Sequence, residues 1–364
     1  MENNITKKLD KISDIWNNFI LEYKFCSNKI KFSDEIKTNY FGDILGYFDD
    51  TFSLISNPQK NSDNLTRFSF YISFLQAIYV QQDFIEELLY IFNCNKNKSD
   101  LKNDINYSKN REIRNELVGH PIRKINGKFI SSTLFSYNSK DDEIEYLRYH
   151  IDNNYDFEKV IIKINDVIER HINFLDTYLN FIIKKLEGIL IKFKKQIEIL
   201  EKNISSQDFE TLLKIISAYF EKFLQSDFIY DSKSLKYIYS KIHEHARYKY
   251  FIENFYSSLK EYISYTKGEI DLLTDKNNFS EIELPIIPLE KSDNQNKKRI
   301  SYYYELGKLA TKRNFSDFLF FSSLLKSKCN DDKVLIELKY MEENLYNDVE
   351  YFCSYKYLKF LLKK

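Results

Sequence analysis

Glycine and proline are almost absent from this chain, and their scarcity constrains its fold more than any other feature. The 364 residues contain 7 glycines and 4 prolines. Both residues interrupt helices, and glycine supplies the backbone conformations that tight hairpin turns require. We therefore predict an all-α fold of long helices, with a small β-hairpin insertion as the one exception.

The length of the chain predicts two domains, because a single core rarely extends over this many residues. Hydrophobic residues make up 43% of the chain, which is sufficient for packed cores and argues against global disorder. We predict an N-terminal helical domain over residues 1–204 and a C-terminal helical domain over residues 205–364. A linker is predicted in the second domain at about 268–298, where two prolines flank apolar residues.

Apolar residues recur at helical spacing through most of both domains. In the N-terminal domain they predict a bundle with helices at about 5–26, 34–57, 65–94 and 105–118, followed by a long helix at 156–203. In the C-terminal domain they predict helices at about 209–223, 232–265, 300–327 and 330–362.

The predicted helix at 156–203 carries a seam in which apolar residues step alternately by four and three positions. The seam runs through Ile168, Ile172, Leu175, Leu179, Ile182, Leu186, Ile189 and Phe193. This is the heptad pattern of a coiled coil. Further apolar residues beside it favour packing against several helices, and a dimer contact is a second interpretation.

Residues 122–150 have a different pattern, which predicts a β insertion of two or three strands. Asn126-Gly127 is a strong signal for a hairpin turn, and strand-like runs follow at 129–135 and 143–149. Because the insertion begins directly after the helix at 105–118, we expect it to lie beside the end of that helix.

The end of that helix is the most informative stretch of the chain, residues 114–121, with the sequence RNELVGHP. Gly119 occupies the position of a C′ glycine, and Pro121 disfavours helical geometry at His120. In an unbroken helix, six positions turn through about 600° and would place Arg114 and His120 on different faces. We expect the helix to end at the histidine, which would allow His120 to approach the arginine.

Residues 114–121 resemble the signature of the HEPN superfamily of helical ribonucleases. That signature is an arginine, four to six intervening residues and a histidine, often with an asparagine directly after the arginine. Arg114, Asn115 and His120 match these positions, with five residues between the arginine and the histidine. The Gly-His-Pro ending resembles a subgroup found in bacterial defence and toxin proteins. The resemblance covers about residues 1–200.

The resemblance implies a metal-independent RNA endonuclease of antiphage defence or of a toxin–antitoxin system. His120 would move protons to and from the RNA oxygens, because histidine changes its protonation state near neutrality. Arg114 would bind the reacting phosphate, and Asn115 would orient the histidine or the phosphate. The products would carry 2′,3′-cyclic phosphate and 5′-hydroxyl ends. One histidine is too few to supply a separate acid and a separate base, and the resemblance implies a homodimer with a composite active site.

Three further cations are predicted to bind RNA. Between residues 109 and 128, six basic residues oppose two acidic ones, although the whole chain is neutral. Arg111, Arg123 and Lys124 are predicted to hold neighbouring phosphates, and ordinary solvated charges are the alternative. Because an unrestrained ribonuclease would harm its host, we also expect an antitoxin or defence-system protein as a partner. Residues 205–364 are the candidate sensor or regulator, or the docking surface for an antitoxin.

Two other functions are compatible with the sequence. In one, a HEPN-like domain binds RNA or a partner protein without cutting, and His120 is dispensable. In the other, the chain is a coiled-coil interaction protein, and residues 114–120 are an ordinary helix end. There Arg114 forms a surface salt bridge and His120 complements the helix dipole.

Other chemistries have little support in the sequence. His243 and His245 would point apart on a helix, and no third ligand completes a zinc site, so we predict capping or surface roles and no metal. Glycine-rich phosphate loops are absent, and we predict no cofactor. Four scattered cysteines and an N-terminus without an apolar segment favour a cytoplasmic protein with reduced thiols. No stretch is apolar enough to span a membrane.

Overall fold

The computed structural model describes residues 2–56, 63–134, 140, 142–204, 206–225, 230–275, 302–311 and 313–363. These residues are mostly helical and include a four-stranded antiparallel sheet, so the chain is mostly rather than entirely α. The chain divides into two compact units, Met1–Phe193 and Lys194–Lys364. The division falls within the longest helix.

The N-terminal part of the first unit is helical. Its helices are α1 (Glu2–Ile15), α2 (Lys24–Ser27), α3 (Phe41–Ser56), α4 (Asn64–Ile91), α5 (Lys98–Lys102) and α6 (Ile105–Arg114). Side-chain oxygens of Asp63, Asn97 and Asp104 accept backbone hydrogen bonds at the starts of α4, α5 and α6. The helix predicted at 5–26 is interrupted, because α1 continues as a π-helical turn that ends at Ile20 and α2 is separate.

A four-stranded antiparallel sheet follows α6, with its strands in sequential order. The strands are β1 (Ile122–Ile125), β2 (Lys128–Leu134), β3 (Glu143–His150) and β4 (Phe157–Lys163). The predicted Asn126-Gly127 hairpin is confirmed, since both residues have positive φ angles, 51° and 79°, between β1 and β2. Residues 135–139, which include the end of the strand-like run 129–135, lie outside the described residues.

The fourth strand corrects two predictions. β4 pairs with β3 from Glu143 opposite Lys163 to Tyr149 opposite Phe157, so the insertion has four strands and extends beyond residue 150. The long helix, α7 (Ile164–Asn203), therefore begins after β4 and not at residue 156. The physical reason is that residues 160–162 are β-branched and that pairing with β3 decides their conformation.

The heptad seam of α7 is buried within the chain. Six of its eight residues are at most 4% exposed, namely Leu175, Leu179, Ile182, Leu186, Ile189 and Phe193. The core of this chain thus accounts for the seam without a partner helix.

One apolar cluster fixes the end of α6 against its neighbours. Leu117, two residues before Gly119, is 6% exposed and packs in this cluster. The cluster also contains Leu75 and Ile78 of α4, Ile144 and Tyr146 of β3, and Ile164 and Val167 of α7. Burial of each large apolar side chain contributes roughly 1.5–3 kcal/mol to the free energy of unfolding. The packing of Leu117 therefore stabilises the position of residues 114–121.

The second unit contains shorter helices than the sequence predicts. They are α8 (Phe209–Tyr219), α9 (Glu221–Gln225), α10 (Ser232–Ser240), α11 (Ala246–Thr274), α12 (Tyr303–Thr311), α13 (Phe315–Lys328), α14 (Asp332–Glu343) and α15 (Asp348–Leu361). The predicted helices at 209–223, 232–265, 300–327 and 330–362 are each divided in two. New helices begin where His245, Asn314 and Asn347 accept backbone hydrogen bonds, and these caps account for three of the breaks.

The predicted linker at 268–298 is wrong in its first part, because residues 268–274 continue α11. Residues 276–298 lie outside the described residues. None of the helices that the structure describes combines the length and the apolar character needed to cross a bilayer.

Candidate functional site

The site predicted at residues 114–121 is built on a change of helix type. After Arg114 the chain continues as a π-helical turn, Asn115–Gly119, and the amide of His120 donates to the carbonyl of Asn115 at 2.7 Å. His120 has φ −142° and ends the helix, as predicted. Because a π turn bonds residues five apart, it brings residue 119 next to residue 114.

Close packing, and not backbone conformation, is what a side chain at Gly119 would disturb. The sequence predicts a C′ glycine, but among the described glycines only Gly127 has a positive φ. A Cβ atom on Gly119 would lie 2.6 Å from Nη1 of Arg114. The guanidinium of Arg114 therefore rests against the backbone of the residue that precedes His120.

The guanidinium of Arg114 is held by neutral groups. Nε and Nη2 donate to Oε1 of Gln76 at 3.1 and 2.9 Å, and Nη1 donates to Oδ1 of Asn115 at 3.2 Å. The centroid of the Tyr79 ring lies 4.1 Å from the guanidinium carbon of Arg114. Arg114 makes no ion pair with any residue that the structure describes. These bonds use three of the five N–H groups of arginine, which leaves two for a ligand.

The imidazole of His120 is exposed, whereas its backbone is fixed. Its amide bonds to Asn115, and its carbonyl accepts a hydrogen bond from Nη1 of Arg123 at 3.2 Å. Among the residues that the structure describes, none forms a hydrogen bond or ion pair with the ring. The side chain can therefore turn toward a ligand on Arg114 without losing a bond.

Arg111 has a different environment from Arg114, although both belong to α6. Its guanidinium pairs with Asp83 and with the hydroxyl of Tyr107, and its side chain is 11% exposed. Burial raises the pKa of Asp83, and the charge of Arg111 offsets this only in part. Asp83 compensates the charge of Arg111. Arg111 is therefore better suited to lining the site than to binding a phosphate.

Arg123 and Lys124 begin the sheet on the other side of His120. Arg123 lies 3.4 Å from a carboxylate oxygen of Glu116 and is mostly buried. Lys124 is exposed and lies over the ring of Phe129, with Nζ 4.4 Å from the centroid. Of the three predicted RNA-binding cations, Lys124 is thus the one in open contact with solvent.

Glu116 joins the helix end to the sheet, a role that sequence reasoning missed. Its carboxylate accepts from Nε and Nη2 of Arg148 on β3, at 2.7 and 2.9 Å, and from Oγ of Ser132 on β2 at 2.8 Å. Burial alone would raise the pKa of Glu116, but the hydrogen bonds from Arg148 and Ser132 outweigh it and lower the pKa to about 2. This ionised carboxylate fixes the exit of the chain toward β1.

Gln76 and Tyr79 are also missing from the sequence-based prediction. With Asp83 they lie at positions i, i+3 and i+7 of α4, which makes one polar stripe on a largely apolar helix. That stripe is a usable signal for a functional face. It does not reveal, however, that α6 packs against it.

The remaining histidines lie away from residues 114–121 in the sequence. Nδ1 of His245 accepts from the amide of Arg247, the capping role predicted for it. His171 is fully buried, with Nε2 2.8 Å from Oε1 of Gln81. Within the described ranges, no group of three or more His, Cys, Asp or Glu side chains is arranged to hold a metal ion.

Comparisons of this chain with protein-family models, with curated proteins and with solved structures find no match.

Proposed function

We propose that this chain is a metal-independent RNA endonuclease of the HEPN type, active as a homodimer with a composite site. The observation that carries the proposal is the environment of Arg114. Neutral amides hold its guanidinium against Gly119, the residue before His120, and it forms no ion pair with a described residue. The ring of His120 has no hydrogen bond to a described residue. A fixed cation beside an available acid–base group is what cleavage by an RNA 2′-hydroxyl requires.

In the proposed reaction, His120 takes the proton from the 2′-hydroxyl, whose oxygen attacks the adjacent phosphorus. The bond from phosphorus to the 5′-oxygen of the next nucleotide breaks, and that oxygen receives a proton from the His120 of the second copy. The two unused N–H groups of Arg114 bind the phosphate oxygens as negative charge develops. The products carry 2′,3′-cyclic phosphate and 5′-hydroxyl ends, and DNA is not cut because it lacks the 2′-hydroxyl.

Asn115 acts in this scheme through Arg114. Its Oδ1 accepts from the guanidinium, so the side chain keeps the cation in place. Its amide nitrogen has no hydrogen bond to a described residue and can donate to the phosphate.

We place the activity in the cytoplasm of a prokaryote, in antiphage defence or in a toxin–antitoxin system. The reason is that uncontrolled RNA cleavage harms the cell that makes it. Residues 205–364 are the proposed contact for the antitoxin or defence-system partner.

The proposal is tested with purified protein and a single-stranded RNA in EDTA, with the fragment ends mapped. Wild type is compared with His120→Ala and with His243→Ala, which removes an exposed histidine from a turn of the second unit. We expect wild type and His243→Ala to release cyclic phosphate ends and His120→Ala to be inactive.

Equal cutting by all three proteins would place the activity elsewhere and contradict the proposal. The proposal would also be contradicted if wild type left RNA intact both in this assay and in bacteria that express the chain. If wild type then still bound RNA, the non-catalytic binding module would be the better description.

A further inference from the structure

An open cleft of about 410 Å³ runs along one face of α6, next to the candidate active site. Ser108, Arg111 and Asn115 line it from α6 and the turn that follows, since residues three to four positions apart share a helix face. Lys98 and Lys102 line it from α5. Its volume lies within the range of roughly 300–1,000 Å³ that is usual for ligand pockets.

Cations outnumber carboxylates among the residues that line the cleft. Three cations, Lys98, Lys102 and Arg111, line it together with one carboxylate, Glu112. Asp83 pairs with Arg111 and Glu86 pairs with Lys98, so Lys102 is the lining cation without an ion pair to a described residue. Both lysines are exposed and lie four positions apart.

Both ammonium groups can take a phosphate as a new partner. Lys98 lies 3.2 Å from Glu86 in a half-exposed pair, and pairs of this kind contribute little and exchange readily. Lys102 has no ion pair with any residue that the structure describes. An incoming phosphate therefore displaces at most one weak contact.

Tyr79 connects the cleft to the candidate active site. The centroid of its ring lies 4.0 Å from the guanidinium carbon of Arg111, which lines the cleft. The same centroid lies 4.1 Å from the guanidinium carbon of Arg114. Asn115 lines the cleft and also bonds to Arg114. A ligand in the cleft is thus a direct neighbour of a ligand on Arg114.

We propose that this cleft binds the RNA nucleotide next to the cleaved bond, with Lys98 and Lys102 as ligands of its phosphate. The inference rests on the proposed function and extends it to a second subsite. The hydroxyl of Ser108 and the amide of Asn115 supply further donors along the strand. Ser108 and Asn115 are seven residues apart, about 10 Å along the helix, so the cleft accommodates a length of strand and not only an isolated ion.

The test measures RNA binding separately from cleavage. A fluorescent 2′-O-methyl oligoribonucleotide, which lacks the attacking hydroxyl, is titrated against wild type and against Lys98→Ala/Lys102→Ala. The matched control is Lys7→Ala/Lys184→Ala, which removes two exposed lysines of α1 and α7 that do not line the cleft. Thermal melts verify that all three proteins are folded.

We expect the cleft variant to lose affinity about tenfold or more and the control to stay within about twofold of wild type. The slope of log affinity against log salt should fall by about 0.7 in the cleft variant, because the two lysines hold one phosphate and each neutralised phosphate on a single strand contributes about 0.7. Lys98→Arg/Lys102→Arg should retain most of the affinity.

Equal affinity of the cleft and control variants would overturn this inference and leave the proposed nuclease intact. A wild-type protein that binds no RNA would overturn both. Binding of adenosine monophosphate that depends on both lysines, with RNA binding unchanged, would show a site for a free nucleotide and would also overturn the assignment.

Discussion

The side-chain oxygen of Gln76 accepts two hydrogen bonds from Arg114, one from Nε at 3.1 Å and one from Nη2 at 2.9 Å. This contact fixes the guanidinium without neutralising it, because an amide oxygen is uncharged. Arg111, one turn earlier on α6, pairs instead with the carboxylate of Asp83. The two arginines contact the same Tyr79 ring, yet of these two only Arg111 forms an ion pair with Asp83.

Replacement of Gln76 by leucine should lower the rate of RNA cleavage by about 10- to 100-fold, since a misplaced catalytic group loses much of its effect. The affinity for 2′-O-methyl RNA should change much less. Gln76→Glu keeps an acceptor oxygen but compensates the charge, and it should therefore also be slow. The control is Gln196→Leu, the same change in α7. Wild-type rates in both Gln76 variants would show that Arg114 does not need this support.

Gly119→Ala should reduce cleavage to a similar extent while the fold is retained. Its Cβ would lie 2.6 Å from Nη1 of Arg114, so the guanidinium must shift from the position in which Gln76 and Asn115 hold it. Gly46→Ala is the matched control, because a Cβ there meets nothing within 4 Å in the helix α3. That control should keep full activity and gain about 0.5–1 kcal/mol of stability. Full activity of Gly119→Ala would contradict the close contact.

Glu116→Gln should lower the free energy of unfolding by about 2 kcal/mol at neutral pH, because Arg148 loses a charged acceptor. The pKa of Glu116 is lowered from 4.5 to about 2 in the folded chain. Its contribution is therefore complete above pH 4.5 and is lost as the pH falls toward 2. Urea unfolding at several pH values should show that the difference in free energy of unfolding between variant and wild type decreases as the pH falls from 4.5 toward 2.

Glu112→Gln serves as the control for that measurement, since Glu112 is exposed on the same helix and its pair with Lys109 is a surface contact. It should change stability by less than about 0.5 kcal/mol. A gap for Glu116→Gln that stays constant down to pH 3 would contradict the proposed ionised state.

His171 should make the chain less stable in mild acid. Burial lowers its pKa from 6.5 to about 3, so the folded state holds it neutral while the unfolded state takes up a proton below pH 6.5. Stability is thus full above pH 6.5 and falls by at most about 1.4 kcal/mol per pH unit below it. His171→Gln should remove this dependence on pH. If the free energy of unfolding fell equally in wild type and in His171→Gln between pH 6.5 and 5, the prediction would be wrong.

The local features of the site are those that the sequence predicts best. The end of the helix at His120 and the Asn126-Gly127 hairpin follow from residues within a few positions of each other, and the structure confirms both. The role of Gly119 could not be predicted in this way, because it depends on where the Arg114 side chain lies. The fourth strand could not be predicted from the local sequence either, because β4 is stabilised by its pairing with β3.

The sequence by itself determined that this chain is mostly helical, where the helix that carries Arg114 ends, and which residues cluster there. Those properties depend on backbone preferences and on spacing along one element. Tertiary structure alone decided that Gln76 and not a carboxylate holds Arg114, that Asp83 compensates Arg111, and that Glu116 ties the turn to the sheet. The reason is physical: whether a charge stays available depends on neighbours brought from 28 to 38 positions away, and no local pattern encodes them.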